Sequence, residues 1–302
     1  VRLGVAATPD VAIPTLNWLL DSEHELALII TQPDKPAGRG RNLRQSEVAD
    51  WAVEHKIEVI KPEKSEDLQL HLESIDCVVT IGYGVLLPQS ILDIPKFGFI
   101  NLHFSLLPAY RGAAPVQRAL QNGDLISGVS VFQLEKGMDT GPIYSTISIK
   151  IESQWRSTEL LSVLSKLGPK AVDKALQMIE RGESPTPQMG DPTIAPKISK
   201  LEAQIDFRKD STSIVNHIRA FTYEPGAWCL WKGESFKITN AISVKDVKLA
   251  EGAISFDAKK VLVGCGENSA IELSTVTPAG KKEMSAIEWA RGARLTGGEY
   301  FG

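Results

Sequence analysis

The sequence predicts an α/β domain built on a parallel sheet, followed by a small β-barrel. Three observations carry this. Through the first half, short apolar runs alternate with helix-like segments, the rhythm of a parallel sheet with crossover helices. Residues 183–200 then read ESPTPQMGDPTIAPKISK, and four prolines in that stretch forbid a regular element. Beyond it come several short β-rich runs separated by glycines and polar turns. At 302 residues the chain exceeds the usual span of one domain. The expected division is a first domain over 1–182, a linker over 183–203 and a second domain over 204–302.

In chain order, the first strand is Leu3 to Ala7, followed by a helix around Val11 to Leu20 and a strand from Leu26 to Thr31. Further strands are expected at Cys77 to Ile81, Gly98 to Leu102 and Val129 to Leu134. Helices are expected at 45–55, 113–121 and 158–181. The last of these closes on Arg181-Gly182, a basic last turn with a C-cap glycine. In the second domain a helix is expected near Ser211 to Ala220. Ser285-Ala286-Ile287-Glu288 is a capping box that opens a short terminal helix. Gly264-Cys265-Gly266 reads as a hairpin turn.

Apolar residues make up 43% of the chain and charged ones 23%, the proportions of an ordinary folded protein rather than a disordered or fibrous one. No run reaches the roughly 18 apolar residues of a membrane span, and Val1-Arg2-Leu3-Gly4-Val5 enters a strand directly, without an export signal. Cys77, Cys229 and Cys265 are odd in number and widely spaced, which suits neither a disulfide framework nor a zinc site. A cytoplasmic protein that uses no metal and acts as a monomer is the expectation. Net charge is −4. Residues 1–190 carry 18 basic and 23 acidic side chains, and residues 191–302 carry 15 and 14, so neither half is strongly basic. Locally, however, the window 35–44 holds Lys35, Arg39, Arg41 and Arg44 with no acid. Its Pro, Gly and Arg content predicts no regular element there.

Two constellations carry chemistry. Asn101 and His103 end an apolar strand two residues apart, so both leave the same face. The C-terminal edge of such a strand is where ligands sit in α/β sheets. A lone histidine is more often a satisfied structural residue, and spacing alone leaves that alternative open. The second constellation is Gly137-Met138-Asp139-Thr140-Gly141, whose bland reading is a turn. Asp-Thr-Gly has no second copy, which excludes the paired carboxylates of an aspartic protease. Gly4-Val5-Ala6-Ala7-Thr8-Pro9-Asp10 lacks the G-x-G-x-x-G spacing of a dinucleotide loop. His24, His55, His71 and His217 show no metal-like pairing.

The residues NLHFSLLPAYRGAAPVQRAL, followed by LEKGMDTG, closely resemble the core of the folate-dependent formyltransferases, and among them the methionyl-tRNA formyltransferase family. TPD at 8–10, TQPDKPAGRGRNL at 31–43, GYGVLLP at 82–88, IRAFTYEPGAW at 218–228 and TPAGKKEMSA at 277–286 extend the resemblance over nearly the whole chain. It implies a Rossmann-like formyltransferase domain and a C-terminal OB-like β-barrel that contacts tRNA. It also implies a catalytic trio of Asn101, His103 and Asp139. Ser105, Leu106, Leu107 and Pro108, with Tyr83, Gly84 and Leu86, would line a site for 10-formyltetrahydrofolate. The implied reaction passes the formyl group of that folate to the α-amine of initiator methionyl-tRNA, for translation initiation. Its tetrahedral intermediate needs positioned donors for an oxyanion and a group that moves a proton.

The basic window then becomes a tRNA-contacting loop, through Lys35, Arg39, Arg41 and Arg44, with Lys281 and Lys282, together with Arg291 and Arg294, as weaker candidates for backbone contacts from the second domain. Two positions depart from the family pattern, Phe104 and Ala7, where glycine is usual, and both add bulk near the site. Related enzymes acting on glycinamide ribonucleotide or amino sugars, and formyltetrahydrofolate hydrolases, share the trio. A catalytically inert RNA-binding protein is the rival from another class. The basic loop and the PAGKKEMSA terminus favour tRNA over the first group, and the intact trio argues against the second.

Overall fold

A computed structural model of the chain describes residues 1–37, 42–257 and 259–302. The chain divides into two units. One comprises Val1–Pro115, Ile126–Lys150 and Leu161–Ala195, the other Val116–Leu125, Ile151–Leu160 and Pro196–Gly302.

The elements up to residue 180 are β1 (Arg2–Ala7), α1 (Ile13–Leu20), β2 (Glu25–Ile30), β3 (Lys35–Ala37), β4 (Asn42–Arg44), α2 (Glu47–Glu54), β5 (Glu58–Ile60), α3 (Gln69–Leu72), β6 (Cys77–Ile81), α4 (Gln89–Leu92), β7 (Phe99–His103), α5 (Pro115–Gln121), β8 (Ile126–Gln133), β9 (Ile143–Lys150) and α6 (Ser157–Glu180). Seven of the strands form one sheet in the order β5-β2-β1-β6-β7-β8-β9. The central strands β1 and β6 are almost wholly buried, as strands covered on both faces must be, and hence read as unbroken apolar runs. Ser46 caps α2 by accepting the Ala49 N–H at 3.1 Å. Beyond α6, Gly182 (φ 68°) donates to the Ile179 carbonyl and Glu183 to that of Met178. This is the left-handed stop predicted from Arg181-Gly182.

The sheet is mixed, which corrects the expectation of a purely parallel one. β7 pairs antiparallel with β8, and β8 with β9. Only residues 134–142 join β8 to β9, too short for the crossover that parallel neighbours need. The described ends of the basic window, 35–37 and 42–44, are likewise more regular than expected. β3 and β4 pair antiparallel, with Lys35 opposite Arg44. A two-stranded ribbon leaves half of its backbone groups unpaired, so Pro36 is tolerated.

The Pro-rich segment up to Ala195 belongs to the first unit and is bonded to it. Thr186 and Ile143 exchange backbone hydrogen bonds of 2.7 and 2.9 Å, Arg111 donates to Thr193 at 2.8 Å, and Ala195 donates back to Arg111 at 2.7 Å.

The second unit carries α7 (Ser211–Phe221), β10 (Trp228–Trp231), β11 (Glu234–Lys245), β12 (Ile254–Phe256), β13 (Val261–Cys265), β14 (Ser269–Pro278), β15 (Met284–Ser285) and α8 (Ala286–Ala293). Its sheet runs β10-β11-β14-β13-β12, with β15 added to β14, and every pairing is antiparallel. The expected small barrel thus takes the form of an antiparallel half-barrel. Phe236, Trp231, Trp289 and Phe301 pack ring against ring in its core, with centroids 4.7 to 5.7 Å apart. The hairpin turn expected at Gly264-Cys265-Gly266 falls later. β13 continues through Cys265, which pairs with Ser269, and Glu267 and Asn268 make the reversal at φ 57° and 50°. Ser285 accepts the Glu288 N–H at 3.2 Å while Glu288 accepts the Ser285 N–H at 3.3 Å, completing the predicted capping box.

Candidate active site

β7 ends on the two side chains singled out from the sequence. Its parallel neighbour β6 sets Thr80 opposite Asn101, and the Thr80 hydroxyl lies 2.9 Å from Asn101 Oδ1 and 3.1 Å from the Ile100 carbonyl oxygen. With that hydroxyl donating to Oδ1, the Asn101 amide keeps its NH2 for another acceptor.

His103 is buried, edge-on to the Phe132 ring. Its Nε2 lies 2.9 Å from the Tyr110 carbonyl oxygen. A carbonyl only accepts, so Nε2 carries the proton of the neutral ring and Nδ1 holds the lone pair. Burial drives the His103 pKa below its ordinary 6.5, against the opposing pull of the Asp139 carboxylate and the Tyr110 carbonyl. The ring is therefore neutral near pH 7.

Asp139 is supplied by loop 134–142, in left-handed backbone at φ 54°. The loop folds tightly onto β8 because Gly141 has no side chain: a Cβ there would lie 1.8 Å from the Gln133 carbonyl oxygen. Asp139 Oδ2 accepts the Gly112 N–H at 2.7 Å and stands 3.8 Å from His103 Nδ1. Two acceptors thus face each other across a gap longer than a hydrogen bond. A donor placed between them would serve both.

The segment after β7 is a turn held from within. Ser105 donates to the Ala109 carbonyl at 2.6 Å, and Ser130 of β8 donates to the Ser105 carbonyl at 2.8 Å while accepting the Leu107 N–H at 3.1 Å. Ser105 and Leu107 are buried, so they shape the turn, whereas Leu106 and Pro108 are partly exposed. Phe104 is buried as well. Tyr83, Gly84 and Leu86 follow β6 and leave the same sheet edge as His103, since β6 and β7 run parallel. Tyr83 is buried and Leu86 is 85% exposed. The Gln32 side chain donates to the Tyr83 carbonyl and accepts from Lys35 Nζ, both at 2.5 Å, which ties the basic hairpin to this segment.

Lys35 and Arg44 are exposed on that hairpin. Arg39 and Arg41 lie outside the described residues. Lys281 and Lys282 are exposed between β14 and β15 of the second unit. The sequence reading passed over Thr80, Tyr110, Gly112 and Gln188. Thr80 had a signal, a lone hydroxyl near the end of the apolar strand CVVTI. The other three contribute through backbone groups or from a segment read as a linker, and nothing in their type marks them.

The chain matches the family model described as formyl transferase over residues 5–176, and that of the formyl transferase C-terminal domain over 197–294. A methionyl-tRNA formyltransferase from Thermobifida fusca is 42% identical over 309 residues, covering 100% of this chain and 99% of the relative. One from Streptomyces coelicolor is 43% identical, with 100% of both chains covered. Among solved structures, an N-formyltransferase from Helicobacter canadensis in complex with folinic acid and dTDP-3-aminofucose is similar at a TM-score of 0.71. It is 20% identical, and the match covers 90% of this chain and 98% of that one. At that identity the likeness shows the fold alone.

Proposed function

The chain belongs to the methionyl-tRNA formyltransferase family, and from that membership we propose how its own residues move a formyl group from 10-formyltetrahydrofolate to the α-amine of initiator methionyl-tRNA. The observation that carries this reading is the facing pair of acceptors, His103 Nδ1 and Asp139 Oδ2, 3.8 Å apart. An amine nitrogen is the complementary group, since its N–H bonds can point at both acceptors while its lone pair is aimed at a third point.

In this reading the amine lone pair attacks the formyl carbon, and the carbonyl oxygen becomes an oxyanion. The Asn101 NH2, left available by Thr80, donates to that oxygen. His103 Nδ1 takes the proton the amine loses, and Asp139 stabilises the imidazolium so formed. The proton then passes to the folate nitrogen as its bond to the formyl carbon breaks, leaving formylmethionyl-tRNA and tetrahydrofolate. The carbon arrives already activated by its folate carrier, so no covalent enzyme intermediate is invoked.

Leu106, Pro108, Gly84 and Leu86 present the face toward the folate, over a turn that Ser105, Leu107 and Tyr83 hold in shape. For tRNA, Lys35 and Arg44 are directly opposed like charges on one ribbon, an arrangement that costs stability in isolation and is relieved by an anion between them. Arg39 and Arg41, outside the described residues, are assigned to the same tRNA contact on their charge alone. The chemistry is assigned to residues 1–182, and Lys281 and Lys282 within 204–302 are assigned to tRNA backbone contacts. The test offers 10-formyltetrahydrofolate with methionyl-tRNA, glycinamide ribonucleotide or a nucleotide-linked amino sugar. Formylation of the tRNA-borne amine is expected, and preference for either other amine overturns the assignment.

A further inference from the structure

Gln188 lies in the Pro-rich segment, half-buried between exposed Pro187 and Met189. Its side-chain amide can make four hydrogen bonds, two given and two accepted, and all four are made. Nε2 donates to the Asp139 and Gly141 carbonyls, both at 2.8 Å. Oε1 accepts from Arg111 Nε at 3.1 Å and Arg111 Nη2 at 2.7 Å. The amide's orientation is dictated by its partners, because a guanidinium only donates and a carbonyl only accepts. Glutamate could keep the Arg111 side of this arrangement but has no hydrogens for the two carbonyls.

The bonds join the two segments that meet at the Asp139 carboxylate. One is the 137–141 turn, gripped through the carbonyls of Asp139 itself and of Gly141. The other is the 108–114 turn, gripped through Arg111, whose next residue Gly112 gives its N–H to Asp139 Oδ2 and whose preceding residue Tyr110 holds His103 Nε2 through its carbonyl. We infer that Gln188 is a positioning residue for the reaction, fixing the Asp139 carboxylate against His103 by clamping the 137–141 turn to the 108–114 turn. This inference rests on the role given to Asp139 above.

The clamp is separable from the attachment of the segment that carries it. On one side of Gln188 stands the two-bond pair between Thr186 and Ile143. On the other side stand Arg111 to Thr193, Ala195 to Arg111 and Ala114 to Ala195, with Tyr110 donating to the Thr193 hydroxyl at 2.8 Å. Truncating one side chain leaves all of these in place. The Asp139 turn then loses its two carbonyl anchors while the fold keeps its backbone pairing.

The experiment compares Gln188→Ala, Gln188→Glu and Asp139→Asn in the full-length protein, reading kcat, the KM for 10-formyltetrahydrofolate and for methionyl-tRNA, and the thermal midpoint. Misplacement of a reacting group by about 1 Å costs on the order of a hundredfold in rate. Gln188→Ala is therefore expected to lower kcat by roughly tenfold to a hundredfold, with both KM values changed less than about threefold and the thermal midpoint nearly kept. Gln188→Glu retains the acceptors for Arg111 and is expected to lose at least as much kcat, because the carbonyl grip is the part that matters. Should Gln188→Ala unfold, Gln188→Glu carries the comparison alone. Wild-type kcat in Gln188→Glu, or a loss confined to KM, overturns the inference. An Asp139→Asn variant with full activity instead overturns the reading of the site on which the inference stands.

Discussion

His103 Nδ1 and Asp139 Oδ2 stand 3.8 Å apart, each an acceptor, with the ring proton held on the far nitrogen by Tyr110. In the proposed mechanism that relationship leaves Nδ1 available to receive a proton, since it is not already hydrogen-bonded to the Asp139 carboxylate. Replacing His103 with alanine is expected to lower kcat by about 10²–10⁴-fold. Circular dichroism should report an unchanged fold, and near-normal turnover in a folded variant would remove His103 from the chemistry.

The same burial sets a pH dependence. Its desolvation holds the His103 pKa below 6.5, with Asp139 and the Tyr110 carbonyl opposing. As pH falls, the unfolded chain takes up this proton first, so His103 contributes a loss of stability from about 6.5 down to its lower folded-state value. The neutral ring persists across that same window, and the acidic limb of kcat should therefore lie below 6.5. Asp139→Asn removes an effect that raises the pKa, so the His103 ring resonances should titrate at still lower pH. An upward displacement by NMR would contradict the assigned electrostatics.

Asn101 is expected to contribute as an oxyanion donor. Asn101→Ala should cost on the order of 10²–10³ in kcat. Thr80→Val, which removes only the hydroxyl that orients the amide, should show a smaller loss in kcat with little change in KM. Equal losses in the two variants would mean that Thr80 does more than orient its neighbour.

On the basic hairpin, Lys35→Ala and Arg44→Ala should each weaken methionyl-tRNA use and lower the salt slope of binding by about 1. Since the two charges are opposed in the ribbon, Arg44→Ala should not reduce thermal stability, whereas Lys35→Ala also removes the bond to Gln32. Salt-insensitive kinetics identical to the parent would exclude the hairpin from tRNA contact.

In the second unit, Ser285→Ala deletes the side chain that accepts the Glu288 N–H. A loss of about 1 kcal/mol is expected by chemical denaturation, with activity retained at permissive temperature. No loss would show that the capping box is dispensable in this context.

Long, strongly patterned elements were legible in the sequence. α6 needed only its apolar period and the Arg181-Gly182 stop, and α8 was announced by Ser285 and Glu288. β5 and β9 were not seen, because short or half-exposed edge strands present weak alternation. The mixed sheet was hidden for a different reason: α5 precedes β8 as a crossover helix would, and only the short span 134–142 gives the antiparallel return away. At the site, Asn101 and His103 were readable as a strand end and Asp139 as part of a glycine-bracketed turn, but only the resemblance joined the three into one trio. Gln188 was invisible, since proline content says that a segment is irregular and nothing about what it is fastened to.

The placement of that Pro-rich segment gives the fold a chronology. A chain made from its N-terminus has supplied every strand of the seven-stranded sheet once Lys150 has emerged, and all three candidate groups are then already present. Their direct partners Thr80, Tyr110 and Gly112 are present too, and on the inference above the bonds of Thr186, Gln188 and Ala195 are added only later. A nascent or engineered fragment ending at 182 therefore carries every candidate catalytic side chain and lacks the bonds made by Thr186, Gln188 and Ala195.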